Sequence, residues 1–194
     1  MRTTIYFARH AEPINSHEED RSRPLSEEGK KDTQEVTAFF RDLPVTAYYS
    51  SPYLRAKETI SASAEEKGLN MEEKEGFRER ESGPHGNTKS YFQARWADFT
   101  FHEPGGESLG TLQERNLQAL REVLLENPQG TVVIGTHGSA LSTILHAFDK
   151  TLGLENFLRI IDYMPYIVKL TFEEGIFVSM EEVFHLKKPF KKSL

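Results

Sequence analysis

The apolar positions of this chain fall into two alternating patterns. "TTIYFA" (Thr3 to Ala8) is an unbroken β-branched and aromatic run, which predicts a strand buried on both faces. "VTAYYSS" (Val45 to Ser51) and "TVVIGT" (Thr131 to Thr136) predict two more strands. Between them the spacing turns helical. Ser26 is a suitable N-cap with Glu27 and Glu28 behind it, Val36, Phe39, Phe40 and Leu43 follow at helical spacing, and Pro44 stops the element. Pro52 predicts the opening of a second helix that Gly68 ends. Leu109, Leu112, Asn116, Leu120 and Val123 make one stripe of a helix over about 108–127. Ala140, Leu141, Ile144, Leu145 and Phe148 make another.

Two regions differ. "LNMEEKE" predicts a short edge strand, and "YIVKLTF", "EEG", "IFVSMEEVF" predicts a β-hairpin with Gly175 at its turn. Residues 13–24 read as a polar loop, and residues 76–107 have no clear period. Strands alternate with helices, so the expected class is α/β: a mostly parallel central sheet with an antiparallel edge strand. A length of 194 residues suits a single domain, 1–194, with a frayed basic tail over about 187–194.

Composition narrows the chemistry. The chain has no cysteine, so disulfides, thiolate zinc sites and cysteine nucleophiles are excluded. A net charge of −6 argues against a nucleic-acid partner. No apolar run approaches the ~20 residues of a membrane helix, and Met1 leads directly into the first strand, so no membrane partner and a cytoplasmic location are expected. The sequence says nothing of the oligomeric state.

In open α/β sheets, ligands sit beyond the carboxyl ends of the strands. The first strand ends there in Arg9, His10 and Glu12. The second is followed by Arg55 in the first turn of its helix, and "TVVIGT" is followed by His137 and Gly138. Guanidinium groups match tetrahedral oxyanions with paired donors. A neutral imidazole can attack phosphorus, and two histidines beside one anion allow one to attack and one to donate. Helix starts after Pro52 and Gly138 would add backbone amides. The residues thus point to a phosphoryl site with a histidine nucleophile.

"ARHAEP", "LSEEGKKD", "SSPYLRAKET", "RERESG", "GGES" and "GTHG" occur in that order, and the chain resembles the histidine phosphatase (phosphoglycerate mutase-like) superfamily from the first strand to about residue 145. The resemblance implies a three-layer αβα sandwich. It implies that His10 is the nucleophile, that Arg9, Arg55 and His137 hold the phosphoryl oxygens, and that Glu79 is the proton donor, with Glu81 as its rival. Ser16 is carried over as a phosphate contact, and Asn15 more weakly because its spacing is off by about one. Neither a metal nor another cofactor is implied. The partner expected is a small phosphate ester.

Phosphoglycerate mutases of the family carry an Arg-Arg pair and a longer insertion. Here Glu79 and Gly106 stand 27 positions apart, the segment between Arg80 and Gly106 holds one arginine, Arg95, and "PINS" replaces the expected Trp-Asn. Hydrolysis is therefore expected over phosphoryl transfer, with a non-catalytic phospholigand-binding module as the remaining alternative. A lid-like insertion is expected over about 80–106. Within it Tyr91, Phe92, Trp96 and Phe99 either line the site or pack on the core, and Lys89 and Arg95 either meet a substrate carboxylate or are solvated. Glu107 is expected to serve the helix start, and His146 to be structural. Ala11 stands where the family more often has glycine, and an ordinary φ is expected there.

Overall fold

The computed structural model describes residues 1–84 and 86–188. His85 and most of the basic tail lie outside the described residues. The strands are β1 (Arg2–Arg9), β2 (Ala47–Ser50), β3 (Met71–Glu73), β4 (Thr131–Thr136), β5 (Tyr163–Glu173) and β6 (Ile176–Lys187). The helices are α1 (Glu27–Arg41), α2 (Leu54–Glu66), α3 (Lys89–Ala97), α4 (Leu109–Glu126), α5 (Gly138–Phe148) and α6 (Leu154–Ile160).

One sheet takes the order β3-β2-β4-β1-β5-β6. β4 lies between β1 and β2 and runs parallel to both, so the residues just past β1, β2 and β4 emerge at one end. β5 is the antiparallel neighbour of β1, and β6 covers it as the outer strand. The hairpin between them turns on Glu174 (φ 52°) and Gly175 (φ 78°), the two positive dihedrals that a tight two-residue turn needs.

Alternation along the buried strands builds a core on each face. Ile5, Phe7, Val132 and Ile134 pack with Leu120 and Val123 of α4 and with Leu141 and Ile144 of α5. Tyr6, Ala8 and Val133 pack on the other face with Val36 and Phe40 of α1 and Ile60 and Ala64 of α2. This is the three-layer αβα arrangement.

Several predicted boundaries hold and others move. Ser26 caps α1 by accepting the Gly29 amide, a bond of the kind that is lost at about 1 kcal/mol when the cap is truncated. α2 starts at Leu54 with Tyr53 as its cap residue, two positions after Pro52, because residues 52 and 53 are still turning out of β2. The stretch without a period contains α3, and α6 was not signalled by the sequence pattern. Both are short, and they meet each other through Phe92 of α3 and Phe157 of α6, with Ile161 beside them.

Candidate active site

A cleft of about 500 Å3 opens where β1, β2 and β4 end, and Arg9, His10, Asp20, Arg23, Tyr53, Arg55, Glu79 and Gly138 line it. The parallel topology accounts for this meeting. His10, Arg55 and His137 come from residues far apart in sequence, and the adjacency of β1, β4 and β2 brings them together.

His10 donates from Nδ1 to the carbonyl of Ala11 at 2.7 Å, since a carbonyl can only accept. Its Nε2 therefore carries the lone pair. Burial and the Arg55 and Arg9 guanidiniums push its pKa well below the ordinary value, so the ring is neutral. Ala11 is buried, has an ordinary negative φ as expected, and donates its amide to Thr59 Oγ1 at 3.0 Å. The alanine methyl therefore leaves the histidine loop unstrained.

Arg9 donates from Nη1 to the carbonyls of Ile160, Ile161 and Tyr163 at 2.6, 3.1 and 3.1 Å. Its Nε is buried without an acceptor. Burial pushes the Arg9 pKa down to about 10, which leaves it charged at neutral pH. The guanidinium lies against the start of α5, where Gly138 admits it: a β-carbon there would come within 3.3 Å of the Arg9 side chain.

His137 is fully buried beside His10, with ring centroids 5.4 Å apart. Its Nε2 lies 2.7 Å from Ser51 Oγ, and its Nδ1 is buried without a partner. Burial, then Arg55, His10 and Arg9, push its pKa well below the ordinary value. Arg55 is held by Asp20, through the carbonyl at 2.6 Å and the carboxylate at 3.3 Å, and lies over the Tyr53 ring.

Glu79 closes the site from the opposite wall. Its carboxylate accepts from the amides of Arg80, Ser139 and Ala140 at 2.8, 3.1 and 3.0 Å, which anchors it to the first turn of α5. Glu81 also borders the cleft, with an exposed side chain 3.3 Å from Arg78. Ser16 sits exposed in the turn after Ile14, whereas its neighbour Asn15 lines the cleft.

Two acids explain the wall that carries Glu79. Glu107 is not the cap of α4, a role taken by Ser108. Its carboxylate grips Arg115 at 2.7 and 2.8 Å, and Arg115 in turn donates to the carbonyls of Gly76, Arg78 and Glu79. Glu103 is fully buried between Arg80 (2.7 Å) and Arg95 (2.9 Å). Burial alone would raise the Glu103 pKa, but the Arg80 hydrogen bonds overcome that and pull it down to about 2. Gly106 makes room, since a β-carbon there would meet the Glu103 carboxylate at 2.5 Å. Arg95 is therefore neither solvated nor free for a substrate, whereas Lys89 is exposed.

Of the aromatic segment, Phe92 reaches the cleft and forms an apolar wall with Phe157, Ile161 and Met164. Trp96 and Phe99 pack instead around His146. Asp20, Arg23, Ser51 and, in the apolar wall, Phe157, Ile161 and Met164 were not singled out in the sequence. Arg23 lay in a loop with no period to mark it.

The model of the "Histidine phosphatase superfamily (branch 1)" matches residues 5–181. The chain belongs to the histidine phosphatase superfamily. Within this superfamily it is 28% identical over 123 residues to the uncharacterized phosphatase PhoE of Bacillus subtilis (strain 168), a match spanning 63% of this chain and 63% of that protein. The structure of mycobacterial glucosyl-3-phosphoglycerate phosphatase shares the fold with a TM-score of 0.76 at 18% identity, covering 94% of this chain and 97% of that one. Phosphoglycerate mutase from Bacillus anthracis str. Sterne does so with a TM-score of 0.71 at 19% identity, over 94% and 92%. Structures of a phosphatase and of a mutase thus share this fold, so the choice between the two activities rests on side chains. Among the described residues no helix is long and apolar enough to cross a membrane.

Proposed function

We propose that this chain is a phosphoric monoester hydrolase that works through a phosphohistidine on His10. The observation that carries the reading is a convergence around one neutral imidazole. His10 Nε2 holds a lone pair, while Arg9 Nε and His137 Nδ1 are buried nearby without acceptors. A phosphoryl group supplies the acceptors these nitrogens lack.

In the proposed reaction the Nε2 lone pair of His10 attacks phosphorus as the bond to the leaving oxygen breaks. The carboxyl of Glu79 gives that oxygen its proton, and the alcohol departs. Glu79 then takes a proton from water, whose oxygen attacks phosphorus, and the phosphorus–nitrogen bond breaks to release phosphate and restore neutral His10. Arg9, Arg55 and His137 stabilise the charge on the phosphoryl oxygens throughout. Arg23 also lines the cleft and adds positive charge beside Arg55. The fixed place of Glu79 in the cleft wall favours it over the exposed Glu81 as the residue that meets the leaving oxygen. No step calls for a metal or another cofactor.

Hydrolysis is favoured over mutase transfer by the pairing of two buried arginines behind the Glu79 segment. A mutase acting on a phosphoglycerate must grip a carboxylate, and here Arg80 and Arg95 are both committed to Glu103. The substrate is a small phosphate ester whose alcohol meets the Phe92, Phe157, Ile161 and Met164 wall, with residues about 80–106 as a lid on a single domain.

Turnover of p-nitrophenyl phosphate with and without EDTA, beside His10→Ala, tests this. Activity that survives chelation and is lost in the variant is expected. Full activity in His10→Ala, or loss with chelator, contradicts the mechanism. Formation of 2-phosphoglycerate from 3-phosphoglycerate, in place of free phosphate, would favour the mutase reading.

A further inference from the structure

We infer that Ser51 is a positioning residue that fixes the tautomer of His137, keeping its proton on Nδ1, the nitrogen left to meet the phosphoryl group. The inference rests on the phosphatase reading for its catalytic meaning, but not for its structural half.

A buried hydroxyl must place its one hydrogen and its lone pairs. Ser51 and His137 are both fully buried. Ser51 Oγ accepts the backbone amide of Tyr53 at 3.2 Å, a contact whose direction is fixed because an amide can only donate. Its other neighbour is His137 Nε2 at 2.7 Å. A buried hydroxyl hydrogen needs an acceptor, and among the described residues Nε2 is the one within reach. Ser51 therefore donates to Nε2, which must be unprotonated. Burial and the arginines keep the ring neutral, so its one proton sits on Nδ1.

The opposite tautomer would strand the hydroxyl, because Nε2–H would point at Ser51 and leave the hydroxyl hydrogen without an acceptor. With the proton on Nδ1, His137 and His10 have complementary faces: one ring presents N–H, the other a lone pair, with their centroids 5.4 Å apart. Each imidazole is set by a single bond from its far nitrogen, His10 by the carbonyl of Ala11 and His137 by the hydroxyl of Ser51. An attacking ring and a donating ring are thereby kept distinct although both are neutral histidines.

Nitrogen-15 NMR of the His137 ring in the resting protein, at about pH 7.5 where it is neutral, reads the tautomer directly. Protonated Nδ1 and bare Nε2 are expected in the wild type, and the reverse overturns the inference without any variant being made. In Ser51→Ala the ring is expected to shift toward protonated Nε2, and kcat for p-nitrophenyl phosphate to fall by roughly a hundredfold, the cost of losing one oxyanion donor. Ser51→Thr, which keeps the hydroxyl, is expected to restore both readouts. Rescue by threonine assigns both readouts to the hydroxyl, and the ring tautomer, which loss of the Tyr53 contact alone would not move, reports the bond to His137. An unchanged tautomer in Ser51→Ala, or a changed tautomer with unchanged kcat, overturns the positioning role. A wild-type protein that shows the expected tautomer but hydrolyses no ester instead refutes the phosphatase reading alone.

Discussion

The carboxylate of Asp20 lies 3.3 Å from the Arg55 guanidinium, inside the cleft. The same carboxylate is 2.9 Å from Arg23, so one internal anion bridges two of the cleft's arginines. A phosphoryl group that binds Arg55 must compete with it. Replacing Asp20 by asparagine removes the competing charge and keeps the shape, so phosphate is expected to bind roughly three- to tenfold more tightly, in line with the worth of a partly exposed ion pair. Inhibition constants for inorganic phosphate in the two proteins check this. Weaker binding in Asp20→Asn would mean that the carboxylate chiefly holds Arg55 in place.

The two buried imidazoles predict a pH-dependent stability. Both are held neutral in the folded protein, with pKa values well below 6.5. Below about pH 6.5 the unfolded chain binds protons that the folded site refuses, so stability is full above that pH and falls as the pH drops through it. The slope contributed is up to about 1.4 kcal/mol per pH unit for each ring. Thermal melts between neutral and mildly acidic pH should show a flatter dependence in a His10→Gln, His137→Gln double variant. An equal slope in both proteins would contradict the neutral assignment.

Glu103 tests what holds the wall of the site. Removing its carboxylate strands Arg80 and Arg95 in the interior, so Glu103→Ala is expected to cost about 3–5 kcal/mol. Glu66→Ala breaks an exposed pair with Arg41 and should cost no more than about 1 kcal/mol. Urea titration of the two variants compares them directly, and similar midpoints would argue against a structural role for the buried triad.

Phe92 reports on the leaving group. Its ring belongs to the apolar wall of the cleft, so Phe92→Ala should raise KM for p-nitrophenyl phosphate several-fold, about what the loss of part of a buried aromatic contact produces. KM for glycerol phosphate should change less. Equal changes for both esters would place the ring's role in packing alone.

The sequence displayed the central sheet and the strand-end residues clearly, because apolar runs such as Thr3 to Ala8 and Thr131 to Thr136 have few alternatives to a buried strand. Arg9, His10, Arg55 and His137 could be read from their place after those strands, and the structure brings them into one neighbourhood. What stayed hidden depends on partners distant in sequence. Arg95 looked like a surface or substrate-binding cation until Glu103 closed on it, and Glu107 looked like a helix-start acid until Arg115 took it. Ser16 and Asn15 are neighbours in a polar loop, where one residue of turn geometry decides which side chain faces the cleft. Ser51 was visible within "SSPYLRAKET", but its bond to His137 spans 86 positions, and local pattern carries no trace of it.

The most direct test of the account is a burst experiment on Glu79→Gln with p-nitrophenyl phosphate. The p-nitrophenolate leaving group needs little help from an acid, so phosphorylation proceeds, while hydrolysis of the phosphoenzyme loses its base and slows. A burst of about one p-nitrophenolate per chain is expected, with the phosphoryl group recovered by mass spectrometry on the peptide containing His10 and absent when His10 is also replaced by alanine. Steady turnover with no burst and an unmodified His10 peptide, or a phosphoryl group recovered on another residue, would contradict it.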